Sequence, residues 1–138
     1  MADTLKLEIV TPQAIVFSDD VHMVTLPAIE GEMGIYPQHE RLITQLVPGE
    51  MLVTKDGADT VLAVGEGLVE VTATHVSILT DMAIRAEHID EAKVQEARDR
   101  AEARLREKIS DEEIASVNAS MVRALAQLQV KRRNRGRR

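Results

Sequence analysis

The sequence predicts an α+β protein, in which an N-terminal antiparallel β-sandwich or flattened barrel is followed by a C-terminal antiparallel two-helix hairpin. Three observations predict this fold class. Residues 1–84 contain short β-rich runs separated by Gly, Pro and Asp, which is typical of small β domains. Residues 85–138 are rich in Ala, Glu, Arg and Lys, which favour helix. That second part contains no proline and only one glycine, Gly136. We therefore divide the chain into two domains, 1–84 and 85–138.

The β-rich runs of the first domain carry strand and hairpin signals. In "LKLEIV" three apolar residues lie two apart and share one face of a predicted strand: Leu5, Leu7 and Ile9. A second β-rich run covers Val21–Leu26. The runs "MLVTK" and "TVLAV" flank Asp56-Gly57, a dipeptide that favours a tight hairpin turn. "LVEVTAT" and "HVSILTD" are predicted to form a further hairpin around Thr74.

The stretch "EGEMGIYPQHE", Glu30 to Glu40, combines two glycines and a proline with apolar residues. It is too broken for a predicted strand or helix and too apolar for an idle loop. Two interpretations follow from the residue types. The stretch is either a surface loop that presents an apolar patch to a partner, or a tight turn that closes one end of the sandwich with Ile35 and Tyr36 in the core.

Capping residues set the predicted bounds of the two helices. Asp90 is a suitable N-cap for a helix that runs to about Lys108. Ser110 followed by Glu113 forms a capping box, so a second helix is expected to begin there. The connection "KISD" is short, which favours an antiparallel pair of helices.

The predicted seam between these helices has small residues on one side. The second helix carries a narrow apolar stripe: Ile114, Val117, Met121, Leu125 and Leu128. The first helix offers Val94, Ala97, Ala101 and Leu105. Burial contributes roughly 25 cal/mol per Å² of apolar area, so an alanine-lined seam is held weakly. We expect the hairpin to leave its resting place at modest cost.

Composition argues against several classes of function. The chain has no cysteine, which excludes disulfides, thiolate metal sites and cysteine nucleophiles. One Phe, one Tyr and no Trp argue against base stacking. The four histidines lack the close spacing of a metal site, and no metal is expected: His22, His39, His75 and His88. No nucleophile, phosphate-loop or paired-carboxylate motif stands out, so no catalysis is expected.

Neither a membrane span nor a signal peptide is visible in the sequence. No apolar run approaches the roughly 18 residues that a membrane-crossing helix needs. The N-terminus, "MADTLKLEIV", lacks a basic region followed by an apolar one. We expect the protein to remain in the compartment where it is made.

Charge is unevenly distributed. The formal net charge is −6, but the last eight residues hold six of the 17 basic residues and no acid. The preceding 130 residues therefore carry 11 basic and 23 acidic residues, a net charge of −12. This asymmetry indicates that the tail has a partner of its own, with a solvated, disordered end as the alternative. Nucleic-acid binding by the tail is an alternative function, although the acidic body would repel phosphates.

In this setting "EGEMGIYPQHERLITQLVPG" resembles the signature segment of the epsilon subunit of F-type rotary ATP synthase. The positions that match the family pattern are Gly31, Glu32, Gly34, Ile35, Pro37, His39, Leu42, Thr44, Leu46, Pro48 and Gly49. "AVGEGLVEV" and "VSILTDMAIRAEHIDEAK" resemble two later segments of the family, the first of them through Gly67, Glu70 and Val71. The sequence departs from the pattern at Gln38, which replaces glycine, and at Glu40-Arg41, which replaces Ala-Pro.

The resemblance implies a non-catalytic component of the central stalk. The β domain would grip the gamma subunit and rest on the rotor ring of c subunits, and would contact the membrane only through the complex. The helical hairpin would inhibit ATP hydrolysis when it extends into the catalytic head of alpha and beta subunits. The implied location is the cytoplasmic face of the bacterial plasma (inner) membrane.

The resemblance also implies roles for individual residues. Four residues of the signature segment would contact the rotor ring: Glu32, Met33, Tyr36 and His39. The basic residues near the end of the chain would inhibit ATP hydrolysis: Arg123, Lys131, Arg132, Arg133, Arg135, Arg137 and Arg138. These arginines would pair with acidic surfaces of the beta subunits.

Some members of the family bind ATP through an Ile/Leu-Asp-x-x-Arg-Ala motif at the base of the hairpin. Here the stretch is "IDEAKV", which keeps Ile89 and Asp90 but has Lys93 in place of arginine and Val94 in place of alanine. Lysine cannot offer phosphate the bidentate fork of arginine, so we expect ATP to be at most a weak regulatory ligand. No other cofactor is expected. For Asp90 the alternative is an N-cap alone, and a free-standing ATP sensor is a further alternative function.

Overall fold

The computed structural model describes residues 3–136, which form a ten-stranded sheet folded into a nearly closed sandwich and followed by two helices. The strands are β1 (Leu5–Val10), β2 (Ile15–Val21), β3 (Met23–Ala28), β4 (Gly31–Ile35), β5 (Leu42–Leu46), β6 (Gly49–Lys55), β7 (Ala58–Val64), β8 (Gly67–Val71), β9 (His75–Thr80) and β10 (Ala83–Arg85). A 3₁₀ turn, Ala86–His88, leads into α1 (Glu91–Leu105) and α2 (Asp111–Gly136). The predicted fold class is confirmed.

The strands follow the order β10-β7-β6-β3-β5-β8-β9-β1-β2, with β4 paired to β3. Neighbouring strands are antiparallel except β1 and β9, which are parallel. The two halves of the sheet face each other across one apolar core, because strand residues alternate between the inside and the outside. The predicted inward face of β1 is confirmed, since Leu5, Leu7 and Ile9 are all buried.

Four strands were not predicted: β2, β4, β5 and β10. The sequences of β2 and β5 do not alternate cleanly. β2 carries Asp19 and Asp20, and aspartate is disfavoured in strands. Tertiary contacts compensate: β2 pairs along β1, and Lys55 Nζ donates to Asp19 Oδ2 at 2.7 Å, which links β2 to β6. This hydrogen bond is the largest contribution that lowers the pKa of Asp19 and raises the pKa of Lys55. β5 presents Ile43 outward, at a position where the alternation predicts a polar residue.

Both predicted hairpins are confirmed. Asp56 and Gly57 have φ values of 52° and 76°, and two successive positive φ angles are the signature of a type I′ turn. This turn joins β6 to β7. β8 and β9 pair antiparallel around the turn that contains Thr74.

The stretch from Glu30 to Glu40 was expected to be too broken for a strand, and that expectation is wrong. Its first half is β4, which pairs with β3. Gly31, at a φ of 125°, provides the turn that brings the two strands together. Ile35 is fully buried in the core, whereas Tyr36 is 59% exposed. The stretch therefore contributes one core side chain and leaves its tyrosine on the surface.

The helix caps were predicted correctly. Asp90 Oδ1 accepts a hydrogen bond from the Lys93 N–H at 3.2 Å, and α1 begins at the next residue. The Ser110 hydroxyl accepts from the Glu113 N–H, also at 3.2 Å, at the start of α2. Helix α1 ends at Leu105, slightly before the predicted end at about Lys108.

Gln38, at the position where the family has glycine, adopts a left-handed backbone conformation with a φ of 68°. Its N–H donates to the Ala73 carbonyl at 2.8 Å, so the turn is tied to the β8–β9 connection. A residue with a Cβ atom in this conformation pays a steric cost that glycine avoids.

We expect the Gln38→Gly variant to be more stable than the parent by about 0.5–1 kcal/mol, after allowance for the greater freedom of glycine in the unfolded chain. Urea denaturation followed by circular dichroism measures this difference. The Gln38→Ala variant is the control, because it keeps the Cβ atom and should bring no gain. A loss of stability in the glycine variant would contradict the steric argument.

Candidate functional site

The C-terminal half of α2 docks on the outer face of β6 and β7. All buried residues of α2 lie in that half: Ala124, Ala126, Leu128 and Val130. Val130 packs in a small cluster with Ala63 of β7, Ala86 and Ile89. Ala63 is fully buried although it points away from the sandwich core, because the helix covers it. Its small side chain allows the helix to lie close to the sheet.

Helix α1 is held mainly through α2. None of its residues is buried, and its extensive contacts are with α2 rather than with any strand. In the predicted seam, Val94, Ala101 and Leu105 of α1 are half-buried, whereas Ala97 is exposed. The weakness of the seam remains a prediction. Two positions of the predicted stripe are wrong, because Ile114 is 36% exposed and Leu125 is 44% exposed, and Ala124 is buried instead. The inward face of α2 must serve both α1 and the sheet, so it drifts from a strict heptad line.

Four arginines of α2 form ion pairs with carboxylates outside that helix. Glu91, the first residue of α1, receives two arginines: Arg132 Nε lies 3.1 Å from its Oε1 and Arg135 Nη1 lies 2.8 Å from its Oε2. On β6, Glu50 Oε2 lies 2.9 Å from Arg133 Nη1. Farther up the helix, Arg123 Nη1 lies 3.3 Å from Asp81 Oδ2.

In the ion pairs of Glu50 and Glu91, the glutamate side chains are more buried than the arginine side chains. The carboxylate side chains of Glu50 and Glu91 are 13% and 26% exposed, whereas the arginines are 55% to 60% exposed. Lys131 adds a hydrogen bond from its Nζ to the Ala86 carbonyl at 3.1 Å. The last turns of α2 are thus attached to the body by charge as well as by apolar contact.

The far end of the hairpin has its own ionic contact. Arg104 of α1 bridges Glu107 and Glu113, and its Nη2 lies 2.6 Å from Glu113 Oε2 at the start of α2. The hydrogen bond with Glu107, followed by that with Glu113, raises the pKa of the Arg104 guanidinium. Since arginine is charged at all ordinary pH values, the contact persists across them.

Of the basic residues predicted to inhibit hydrolysis, Arg123, Arg133 and Lys131 contact the body of the protein in this structure. Arg132 and Arg135 contact the start of α1 instead. Arg123, Lys131, Arg132, Arg133 and Arg135 all contact groups outside α2. The helix extends through Gly136, so this part of the tail is helical in the structure. Arg137 and Arg138 lie outside the described residues.

The residues predicted to bind ATP do not form one exposed site. Ile89 is buried beneath α2, and Asp90 caps α1. Lys93 lines an open groove of about 270 Å³ between the helices, together with Ser120, Arg123 and Gln127. Arg123 is also engaged by Asp81. The groove therefore offers an anion two cationic side chains, Lys93 and Arg123, and Arg123 is already paired with Asp81.

The four predicted ring-contact residues are spread along the β4 hairpin and the turn after it. Glu32 is exposed and lines a crevice of about 200 Å³ that also includes Glu50 and Arg133. Met33, on the opposite face of β4, packs against the core. Tyr36 is exposed, and His39 Nδ1 lies 2.8 Å from the Glu40 carbonyl oxygen. Their role in ring contact remains a prediction.

Sequence reasoning missed an apolar row on the outer face of the other half of the sheet. The register places Ile15, Val10, Leu79 and Leu68 side by side across β2, β1, β9 and β8. Ile15, Leu79 and Leu68 are 64%, 55% and 48% exposed. Ile43 of β5, 66% exposed, lies one row away, opposite Glu70. We call these five residues the outer apolar face.

A sequence signal for the outer apolar face did exist. In β9, "HVSILT", the inward positions are Val76, Ile78 and Thr80, which leaves Leu79 outward. An apolar residue in the polar register of a strand is such a signal, but it becomes informative only when neighbouring strands align several of them.

Two kinds of site are missing from residues 3–136. No group of three or more His, Asp or Glu side chains in that range could hold a metal ion. None of the helices there combines the length and the hydrophobicity needed to cross a bilayer.

Two family models together match almost the whole chain. Residues 4–86 match "ATP synthase, Delta/Epsilon chain, beta-sandwich domain". Residues 87–132 match "ATP synthase, Delta/Epsilon chain, long alpha-helix domain". The matches follow the same order as the sandwich and the hairpin in the structure.

Two relatives of similar length are both named ATP synthase epsilon chain. The chain is 41% identical over 133 residues to an ATP synthase epsilon chain of Herpetosiphon aurantiacus, covering 96% of this chain and 98% of the relative. It is 40% identical over 127 residues to an ATP synthase epsilon chain of Halorhodospira halophila, covering 91% and 90%. Both similarities span the two domains.

Solved structures share the fold at lower identity. A chain of the Euglena gracilis mitochondrial ATP synthase, in an OSCP/F1/c-ring structure, matches with a TM-score of 0.66 and 23% identity, covering 97% of this chain and 81% of that one. A chain of the Tetrahymena thermophila mitochondrial ATP synthase central stalk and c-ring matches with a TM-score of 0.58 and 12% identity, covering 94% and 97%.

Proposed function

Because the chain belongs to the ATP synthase delta/epsilon chain family, we propose that it is the epsilon subunit of a rotary, proton-translocating ATP synthase. In this role it is a non-catalytic part of the central stalk that couples proton flow to ATP synthesis and restrains ATP hydrolysis through its C-terminal helices. Relatives named ATP synthase epsilon chain align with it across both the sandwich and the hairpin, and this alignment carries the proposal.

The outer apolar face supports contact with the gamma subunit. An apolar row across four adjacent strands spans roughly 15 Å, given a strand spacing of about 4.8 Å. A contiguous apolar patch of this kind on a soluble domain marks an interaction surface. It lies on the half of the sheet that the helices leave uncovered, so the sandwich can bind a partner whether or not the hairpin is docked.

We expect the Leu68→Glu/Leu79→Glu variant to bind the gamma subunit at least tenfold more weakly, because it places two charges in the centre of the apolar row. Co-purification with the gamma subunit, followed by titration, measures this loss. The control is Leu125→Glu, which makes the same change at an exposed position of α2. If the parent, the double variant and the control all bound the gamma subunit equally, the outer apolar face would not be part of the interface.

The β4 hairpin supports contact with the ring of c subunits. Pairing with β3 makes Glu32 part of a firm strand, and Ile35 anchors that strand in the core. Glu32 and Tyr36 are exposed, and His39 follows at the next turn. Met33 contributes less directly, since it packs against the core and supports the hairpin from within.

The manner of docking supports an inhibitory role for the hairpin. Half of one helix, with alanine at two of its four buried positions, attaches about fifty residues to the sandwich. A switch needs two states that differ by only a few kcal/mol, and such an interface meets that requirement. Once released, the basic residues of α2 would be free to pair with acidic surfaces of the alpha and beta subunits in the catalytic head.

We expect a chain shortened after Ser110 to form a folded sandwich that still binds the gamma subunit, while the reconstituted complex hydrolyses ATP faster. The shortened chain lacks α2 and leaves α1 without its main partner, and an isolated 15-residue helix is marginal in water. ATPase assays with the full and the shortened chain measure the effect. An unchanged rate would refute inhibition by the hairpin and leave the coupling role intact.

We propose that ATP is at most a weak ligand and that no other cofactor is required. Lys93 provides a point charge where an arginine fork would grip phosphate, and Asp81 competes for Arg123. Titration calorimetry of the isolated chain with ATP should give no binding heat in the micromolar range. A saturable heat at micromolar ATP, lost in the Lys93→Ala variant, would contradict this proposal.

The subunit would act at the cytoplasmic face of a bacterial plasma membrane and contact that membrane only through the complex. The relatives that support this location are bacterial proteins. Nucleic-acid binding is not supported, because Arg132, Arg133 and Arg135 are paired with carboxylates of an acidic body.

A further inference from the structure

We propose that Glu50 and Glu91, with the arginines they hold, form an ionic latch that keeps α2 docked on the sheet and on the start of α1, so that ionic strength sets the fraction of chains in which α2 is released. This inference rests on the proposed function only for its consequence, the control of inhibition. The latch itself is a property of the isolated chain. It consists of Glu50, Glu91, Arg132, Arg133 and Arg135.

The placement of the latch gives it control over both helices. Arg133 ties the last turns of α2 to β6 through Glu50, and Arg132 and Arg135 tie the same turns to the start of α1 through Glu91. Glu91 follows the Asp90 cap, which adjoins the sandwich-bound Ile89. Breaking these contacts therefore frees the end of α2 from both of its anchors, the sheet and the base of α1.

The apolar part of the docking interface is modest in size. Val130 packs with Ala63, Ala86 and Ile89, and partly buried residues lie at the edge of this cluster: Val61, Met82, Ile84 and Val94. Helix α2 also buries Ala124, Ala126 and Leu128. Each latch pair is partly exposed, so its strength depends on screening. The Debye length falls from about 10 Å at 0.1 M salt to about 3 Å at 1 M, which weakens such pairs while leaving apolar contact intact.

The same arginines cannot be in the latch and on a partner at once. Glu50 and Glu91 therefore compete with any acidic surface that the released tail would meet. Substitutions in the two glutamates should favour the released state without changing the residues that would bind the partner. This separates the contribution of the latch from the contribution of the tail.

The test measures the distance between two spin labels on the isolated full chain. The chain has no cysteine, so Ser77→Cys on β9 and Glu112→Cys near the tip of the hairpin provide unique labelling positions on exposed residues. Pulsed electron resonance then separates docked from released hairpins. The test variant is Glu50→Gln/Glu91→Gln.

The control variant is Glu96→Gln/Glu102→Gln. It makes the same change in net charge but removes only pairs within α1, those of Glu96 with Arg100 and of Glu102 with Arg98 and Arg106. Any effect of overall charge is therefore shared by the two variants, and any effect of the latch is confined to the first.

We expect the ratio of released to docked molecules to rise about tenfold in the test variant, because it loses three partly exposed ion pairs. The control should match the parent. Raising sodium chloride from 0.1 to 1 M should also increase the released fraction of the parent. The released fraction of the test variant should change little.

Equal distances in parent, test variant and control at every salt concentration would overturn the latch. Release of the control to the same extent as the test variant would also overturn it. If the test variant releases its hairpin but the ATPase rate of the reconstituted complex does not change, the latch stands and the inhibitory function fails.

Discussion

The whole arrangement depends on how closely α2 approaches the outer face of β6 and β7. Ala63 and Ala86 are small enough for Val130 to pack against both, and this contact, together with the nearby ion pairs of Arg123 and Arg133, attaches α2 to the sandwich. Helix α1 contributes no buried side chain and follows α2. A larger residue at position 63 would leave the sandwich core unchanged, since that side chain points away from it, yet it would displace both helices together. One close contact therefore determines where the second domain lies.

The sandwich does not depend on the hairpin in the same way. Its core is built from the inward residues of the strands, and the helices contribute nothing to that cluster. The helices cover β6 and β7, whereas the outer apolar face lies mainly on β8, β9, β1 and β2. The β4 hairpin borders the docked helix, because Glu32 shares a crevice with Glu50 and Arg133. The outer apolar face is therefore separate from the surface that the helices cover.

The sequence allowed the fold to be predicted wherever the signal was local. The alternation in β1, the Asp56-Gly57 turn and the Asp90 and Ser110 caps each depend on residues close together in the chain. The failures depend on distant partners: β4 is a strand because β3 pairs with it, and Leu125 is exposed because α2 must face both the sheet and α1. The outer apolar face and the ionic latch were not predicted for the same reason. Glu50 and Arg133 are 83 residues apart, and no pattern in the sequence pairs them.

The central claim is that the two helices leave their docked positions while the sandwich remains folded. Native-state hydrogen exchange of the full chain, resolved by residue at rising denaturant, tests it most directly. Amides of α1 and α2 should exchange together through an opening at least 100-fold more populated than the one that exposes β8 and β9, since roughly 3 kcal/mol or more separates the two openings. Exchange of helices and strands with one shared free energy and one shared denaturant dependence would show a single cooperative unit and contradict the account.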